Sequence, residues 1–95
     1  MLTSKQKKYL KSEAHSLKPI FQIGKDGVGN KQARSISDAL EKKELIKVKL
    51  LDTCPQSLNE VAVELSAKTK ADVVNMIGHT IILYKHSEKD IYKLP

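Results

Sequence analysis

The spacing of apolar positions changes several times along the chain, and each change marks a predicted element. Thr3-Ser4-Lys5-Gln6 reads as a capping box, opening a helix to about His15. Leu10, Ala14 and Leu17 fall at helical spacing there, and Lys7, Lys8 and Lys11 point away from them. Lys18-Pro19 stops the helix, because the residue before proline is pushed out of the α region. Ile20 to Ile23 is apolar on both faces, the pattern of a strand inside a sheet rather than at its edge. A second helix begins at Gly29 or Asn30, with Ala33, Ile36 and Leu40 as its buried stripe.

From Glu44 to Leu51 the period becomes two, with Ile46, Val48 and Leu50 on one face and Lys47 and Lys49 on the other. One sheet face is therefore predicted apolar and one wet. Asp52 to Gln56 is a turn-rich connection, and Ser57-Leu58-Asn59-Glu60 is a second capping box for a helix through about Lys70. Leu58, Val61, Ala62 and Leu65 form its apolar stripe. Two β-branched strands, Val73 to Ile77 and Ile81 to Lys85, are separated by Gly78-His79-Thr80 as a short hairpin. The order α-β-α-β-α-β-β predicts a two-layer α/β sandwich with helices on one face of a mixed sheet. The tail from His86 to Pro95 reads equally as an extended add-on or as disordered chain.

Charge changes this picture once it is divided along the chain. Residues 1–34 carry eight basic and two acidic groups, whereas residues 35–95 carry nine of each, so the whole net +6 lies in the first third. That is the distribution expected of an electrostatic footprint for phosphates. Three of the four glycines, Gly24, Gly27 and Gly29, fall in the strand-to-helix connection inside this region. Glycine-rich loops at helix N-termini let a backbone approach an anion closely, although such glycines also serve turn geometry alone. Lys31 and Arg34 lie at the start of the second helix, where cations oppose the helix dipole and an anionic ligand relieves them.

Ninety-five residues are enough for one domain with one core. The single cysteine, Cys54, excludes an internal disulfide, and no zinc-ligand spacing is present, so neither metal nor cofactor is expected. Neither a signal-peptide core nor a run approaching ~20 apolar residues occurs, which predicts a cytoplasmic protein that does not enter membranes. Cys54 with His79 or His86 could be drawn as nucleophile and base, but Cys54 lies in a proline-containing turn without an activating neighbour. No enzyme is expected. A basic module that binds an acidic protein or a membrane surface fits the charge equally well, but gives no reason for the glycine loop.

Four stretches together resemble a known family: Leu2-Thr3-Ser4-Lys5-Gln6-Lys7-Lys8-Tyr9-Leu10, Leu17 to Gly27, Glu44 to Lys49, and Ile77-Gly78-His79-Thr80-Ile81-Ile82-Leu83-Tyr84. In order and spacing they resemble the CRM domain, named for chloroplast RNA splicing and ribosome maturation, in its stand-alone bacterial YhbY-like form. The resemblance implies a four-stranded fold similar to the C-terminal domain of a bacterial translation initiation factor. It covers a domain over residues 1–86, with 87–95 as a C-terminal tail. It also implies a monomeric RNA-binding protein that associates with ribosomal RNA in precursors of the large subunit, through a GxxG loop analogous to that of KH domains. The RNA-binding residues are then Gly24, Lys25, Asp26 and Gly27 of the loop, Lys31 and Arg34 of the following helix, and Lys5, Lys7, Lys8 and Lys11 of the first helix. Asp26 places a carboxylate inside the loop, and His79 stands where the family often has arginine. Of the aromatic residues, Phe21 is expected in the core, Tyr84 in sheet packing, and Tyr9 beside the lysines is the candidate for base stacking.

Overall fold

A computed structural model describes residues 2–95. The elements are α1 (Ser4–Ala14), β1 (Phe21–Ile23), α2 (Asn30–Lys43), β2 (Leu45–Leu50), α3 (Leu58–Thr69), β3 (Asp72–Ile77) and β4 (Thr80–Tyr84). Both predicted capping boxes form: Thr3 with Gln6 opens α1 and Ser57 with Glu60 opens α3. These boxes need only residues three apart, so local sequence is enough to specify them. At the end of α3 Lys70 adopts a left-handed conformation, φ 64°, which turns the chain into β3. Gly78, φ 59°, does the same for the β3–β4 turn.

The strands form one mixed sheet in the order β1-β2-β4-β3. β1 runs parallel to β2, with Phe21 opposite Val48 and Ile23 opposite Leu50, and the other pairs are antiparallel. The element order and mixed four-stranded sheet agree with the sequence reading, but β1 is an edge strand and not an interior one. Its three residues are half-buried, exposed and buried in turn, because only the face toward α2 is covered at this margin. The α2 side chain of Gln32 donates from Nε2 to the Gln22 carbonyl at 2.7 Å and ties the strand to that helix.

A second correction concerns the layers. Ile36 and Leu40 of α2 and Val61 and Leu65 of α3 pack with Ile46, Val48, Ile81 and Leu83 on one face of the sheet. Leu10 and Ala14 of α1 pack with Leu45, Val74, Ile82 and Tyr84 on the other. Helices therefore cover both faces, and the arrangement has three layers. The reason lies in β4, where Ile81, Ile82, Leu83 and Tyr84 are all buried. A strand that is apolar on both sides requires a cover on each. Lys47 nevertheless fits beneath the end of α1, since its Nζ donates to the Leu17 carbonyl at 2.9 Å.

Residues 87–95 lie against the α1 side, with Tyr92 and Leu94 packed on that core. They are held by Glu44, which is 0% exposed and adopts φ 65° between α2 and β2. Its carboxylate accepts hydrogen bonds from the amides of Ser87, Ile91 and Tyr92 and from the Ser87 hydroxyl.

Candidate nucleic-acid interface

The glycine loop begins where Ile23, fully buried, fixes the end of β1. Gly24 to Gly27 close a four-residue turn in which the Gly27 amide donates to the Gly24 carbonyl at 3.0 Å. Lys25 and Asp26 form its exposed tip. Glycine is required at position 27 for two reasons. Its φ is +66°, and a Cβ there would lie 2.8 Å from Oε1 of Gln56. At Gly24 a Cβ would meet Leu51 and Thr53 only at ordinary contact distance, 3.6 Å.

Gln56 is the residue that holds the loop, and sequence reasoning passed over it as part of a connection. Its Oε1 accepts from the Val28 amide at 3.4 Å, and its Nε2 donates to Glu64 Oε1 at 2.8 Å. Glu64 in turn pairs with Lys68 at 3.0 Å, and Lys68 Nζ donates to Asn30 Oδ1 at 3.1 Å. The chain of contacts runs from the loop across α3 to the first residue of α2. Hydrogen bonds from Gln56 and then Lys68 hold the Glu64 carboxyl below its ordinary pKa. Val28, 9% exposed, plugs the loop into the core between these ties.

The N-terminus of α2 differs from those of α1 and α3. Its cap is Gly29, in an extended conformation, and no side chain bonds to the first-turn amides. The first turn carries no acidic residue. Lys31 and Arg34 are exposed on the first turns and, among the described residues, neither forms an ion pair. A shallow groove of about 330 Å³ beside them is lined by Asn30, Ala33, Arg34, Ser37, Asp38 and Lys68. Lys68, paired with Glu64, is a further basic residue at this site, contributed by a helix that carries two acidic residues and one basic one. Uncapped amides and nearby cations at a helix N-terminus favour an anion electrostatically.

The four α1 lysines, Lys5, Lys7, Lys8 and Lys11, are exposed but are not brought to the loop. α1 lies on the opposite face of the sheet from α2, and its N-terminal end, with Leu2 just before the helix and Gln6 in its first turn, borders a cavity with Asp72 and Tyr84. That is the Leu45–Tyr84–Asp72 end of the sheet, whereas the loop leaves β1 at the Ile23–Leu50 end. Tyr9 is half-buried against the α1-side core, Phe21 packs against the other core, and Tyr84 is buried with its ring edge-on to Tyr92 at 6.5 Å. His79 is exposed in the β3–β4 turn, and its carbonyl accepts from the Leu50 amide at 2.6 Å. Cys54 is half-buried against the α2-side core. Among the described residues no group of three His, Cys, Asp or Glu could hold a metal ion, and no helix is long and apolar enough to cross a membrane.

Residues 2–85 match the family described as the CRS1 / YhbY (CRM) domain. A Bacillus subtilis protein named "Probable RNA-binding protein YqeI" is 48% identical over 90 residues, covering 95% of this chain and 94% of its own. A Haemophilus influenzae protein named "RNA-binding protein" is 36% identical over 94 residues, covering 99% of this chain and 95% of its own. The solution structure of a hypothetical protein from Staphylococcus aureus superposes with a TM-score of 0.85 at 44% identity, with both chains covered in full.

Proposed function

The chain belongs to the CRS1 / YhbY (CRM) domain family, and from that premise we propose that it binds RNA through the Gly24–Gly27 loop and the N-terminus of α2. The observation that carries this reading is the loop itself. A clamped glycine turn presents Lys25 beside a helix start that has no side-chain cap and no acidic residue. In this reading the loop backbone lies along the RNA backbone, Lys25, Lys31 and Arg34 pair with phosphates, and free amides of the first α2 turn donate to phosphate oxygens. Lys5, Lys7, Lys8 and Lys11 hold further phosphates from the α1 side. Contacts of this kind position a nucleic acid and do not read its sequence, so selectivity rests on RNA shape. The names carried by the relatives support RNA as the ligand class.

We further propose that the RNA is ribosomal, in cytoplasmic precursors of the large subunit, and that the protein acts there as a non-catalytic monomer; the family resemblance supports this narrower statement. Lys25→Asp tests the loop, since it sets two consecutive acids between Gly24 and Gly27. RNA affinity is expected to collapse while circular dichroism and the melting curve stay nearly unchanged, and unaltered affinity would sink the loop assignment. Sedimentation of the tagged protein through a sucrose gradient tests the ribosomal assignment, with co-migration expected at the large-subunit precursors. Confinement to the free fractions excludes it.

A further inference from the structure

We propose that the RNA surface continues from the loop across an open corner of the sheet formed by Gln22, Lys49, Thr80 and Ile77, which joins the loop to the lysines of α1. This inference rests on the RNA-binding reading above. These four residues are register partners: Gln22 lies opposite Lys49, Lys49 opposite Thr80, and Thr80 opposite Ile77. They make one row across all four strands. Strand alternation puts the row on the α1 side, because Val48, Ile81 and Met76 in the adjacent row face the other way. With neighbouring strands about 4.8 Å apart, the row spans roughly 14 Å.

α1 does not cover this corner. Its buried residues, Leu10 and Ala14, sit over Leu45, Val74, Ile82 and Tyr84. Gln22 and Lys49 are exposed, Thr80 is half-buried, and Ile77 is 54% exposed although it is a large apolar residue. The two outward lysines of β2 have different fates. Lys47 is consumed by its hydrogen bond to the Leu17 carbonyl, whereas Lys49 forms no ion pair among the described residues.

The chemistry of the row suits a ribose-phosphate strand. Lys49 supplies a cation, Gln22 and Thr80 supply hydrogen-bonding groups on either side, and Ile77 supplies apolar surface for a ribose or base edge. Lys25 lies just beyond the end of β1, and exposed Lys11 and Lys18 flank the other end of the chain segment leading into it. An RNA strand crossing the corner thus meets cations before, within and after it. The groove between α3 and β3 offers no such route, because it is lined by Asn59, Ala62, Val63, Ser66, Ala67 and Met76 without a basic group.

The test compares Lys49→Glu with Lys89→Glu, an identical charge change on the distant C-terminal segment, using a labelled RNA hairpin with a single-stranded tail. Lys49→Glu is expected to weaken binding by about fivefold or more relative to Lys89→Glu and to flatten the salt dependence. Amide resonances of Gln22, Lys49, Thr80 and Ile77 in the unaltered protein are expected to shift on RNA addition. Equal affinities for the two variants, or shifts confined to the loop, overturn the corner and leave the loop reading intact. Absence of binding by the unaltered protein overturns the RNA-binding reading itself.

Discussion

Glu44 grips Ser87 twice, its Oε2 accepting the Ser87 amide at 2.7 Å and the Ser87 hydroxyl at 2.8 Å. The other oxygen, Oε1, accepts the Ile91 amide at 2.9 Å and the Tyr92 amide at 3.1 Å. Both oxygens are therefore acceptors only, and the isosteric amide cannot replace the acid. Glu44→Gln turns one oxygen into a donor that faces two donors. Leaving such buried groups unpaired costs about 2 kcal/mol. For a domain of this size that is a fall in melting temperature of about 8–16 °C. Hydrogen exchange at Ser87, Ile91 and Tyr92 is expected to speed up beyond the rest of the chain; uniform acceleration would show that Glu44 supports the whole fold and not the C-terminal segment.

The same carboxylate gives stability a defined pH dependence. Burial pushes the Glu44 pKa up, but the hydrogen bonds from Ser87, Tyr92 and Ile91 together outweigh it and hold the value below that of a free glutamate. A folded-state pKa below the unfolded one gives stability that is fully present above the unfolded value and is lost as pH falls through the folded one. Glu60 and Glu64 act in the same direction, held down by Ser57 and by Gln56 with Lys68 respectively. Stability is thus expected to be flat near neutrality and to fall below about pH 4.5. Near-UV dichroism of the Tyr84–Tyr92 pair should fade at higher pH than the far-UV signal, because the C-terminal segment loses its anchor first. Coincident curves would refute that order.

What could be read from the chain alone was what neighbours in sequence determine. Thr3 with Gln6, Ser57 with Glu60, and the alternation through Ile46, Val48 and Leu50 all involve residues a few positions apart, and all appear as predicted. Glu44 could not be read this way. A glutamate before a strand looks like surface, and its partners lie 43 to 48 positions away. Gln56 is the same case, a polar residue in a turn whose partner Val28 is 28 positions distant. The position of α1 was half visible, since the unbroken run Ile81 to Tyr84 implies two covered faces, while exposed Lys49 suggests a wet one. Both signals are correct, because α1 covers only part of that face.

Salt dependence separates phosphate contacts from other binding. Each phosphate neutralised adds about 0.9 to the slope of log affinity against log salt for duplex RNA and about 0.7 for a single strand, taking the DNA values. Lys31→Ala removes one exposed cation from the first turn of α2 without touching the core. The slope is expected to shrink by roughly 0.7–0.9 with little change in melting temperature. An unchanged slope would remove Lys31 from the interface.

Gly27 and Gln56 provide a test of how the loop is held. In Gly27→Ala the left-handed backbone costs an L-residue about 1–2 kcal/mol. The new Cβ would also displace Gln56 Oε1, 2.8 Å away, and so disturb its bonds to Val28 and Glu64. In a Gln56→Ala background that second cost has already been incurred, and only the backbone term remains. The two substitutions are therefore expected to be non-additive, with the double variant more stable than the sum of the singles by about 1 kcal/mol. RNA affinity should follow the same pattern, because either change alone releases the turn that presents Lys25. Strict additivity in chemical denaturation would mean that Gln56 does not constrain Gly27, and that the loop owes its shape to its backbone alone.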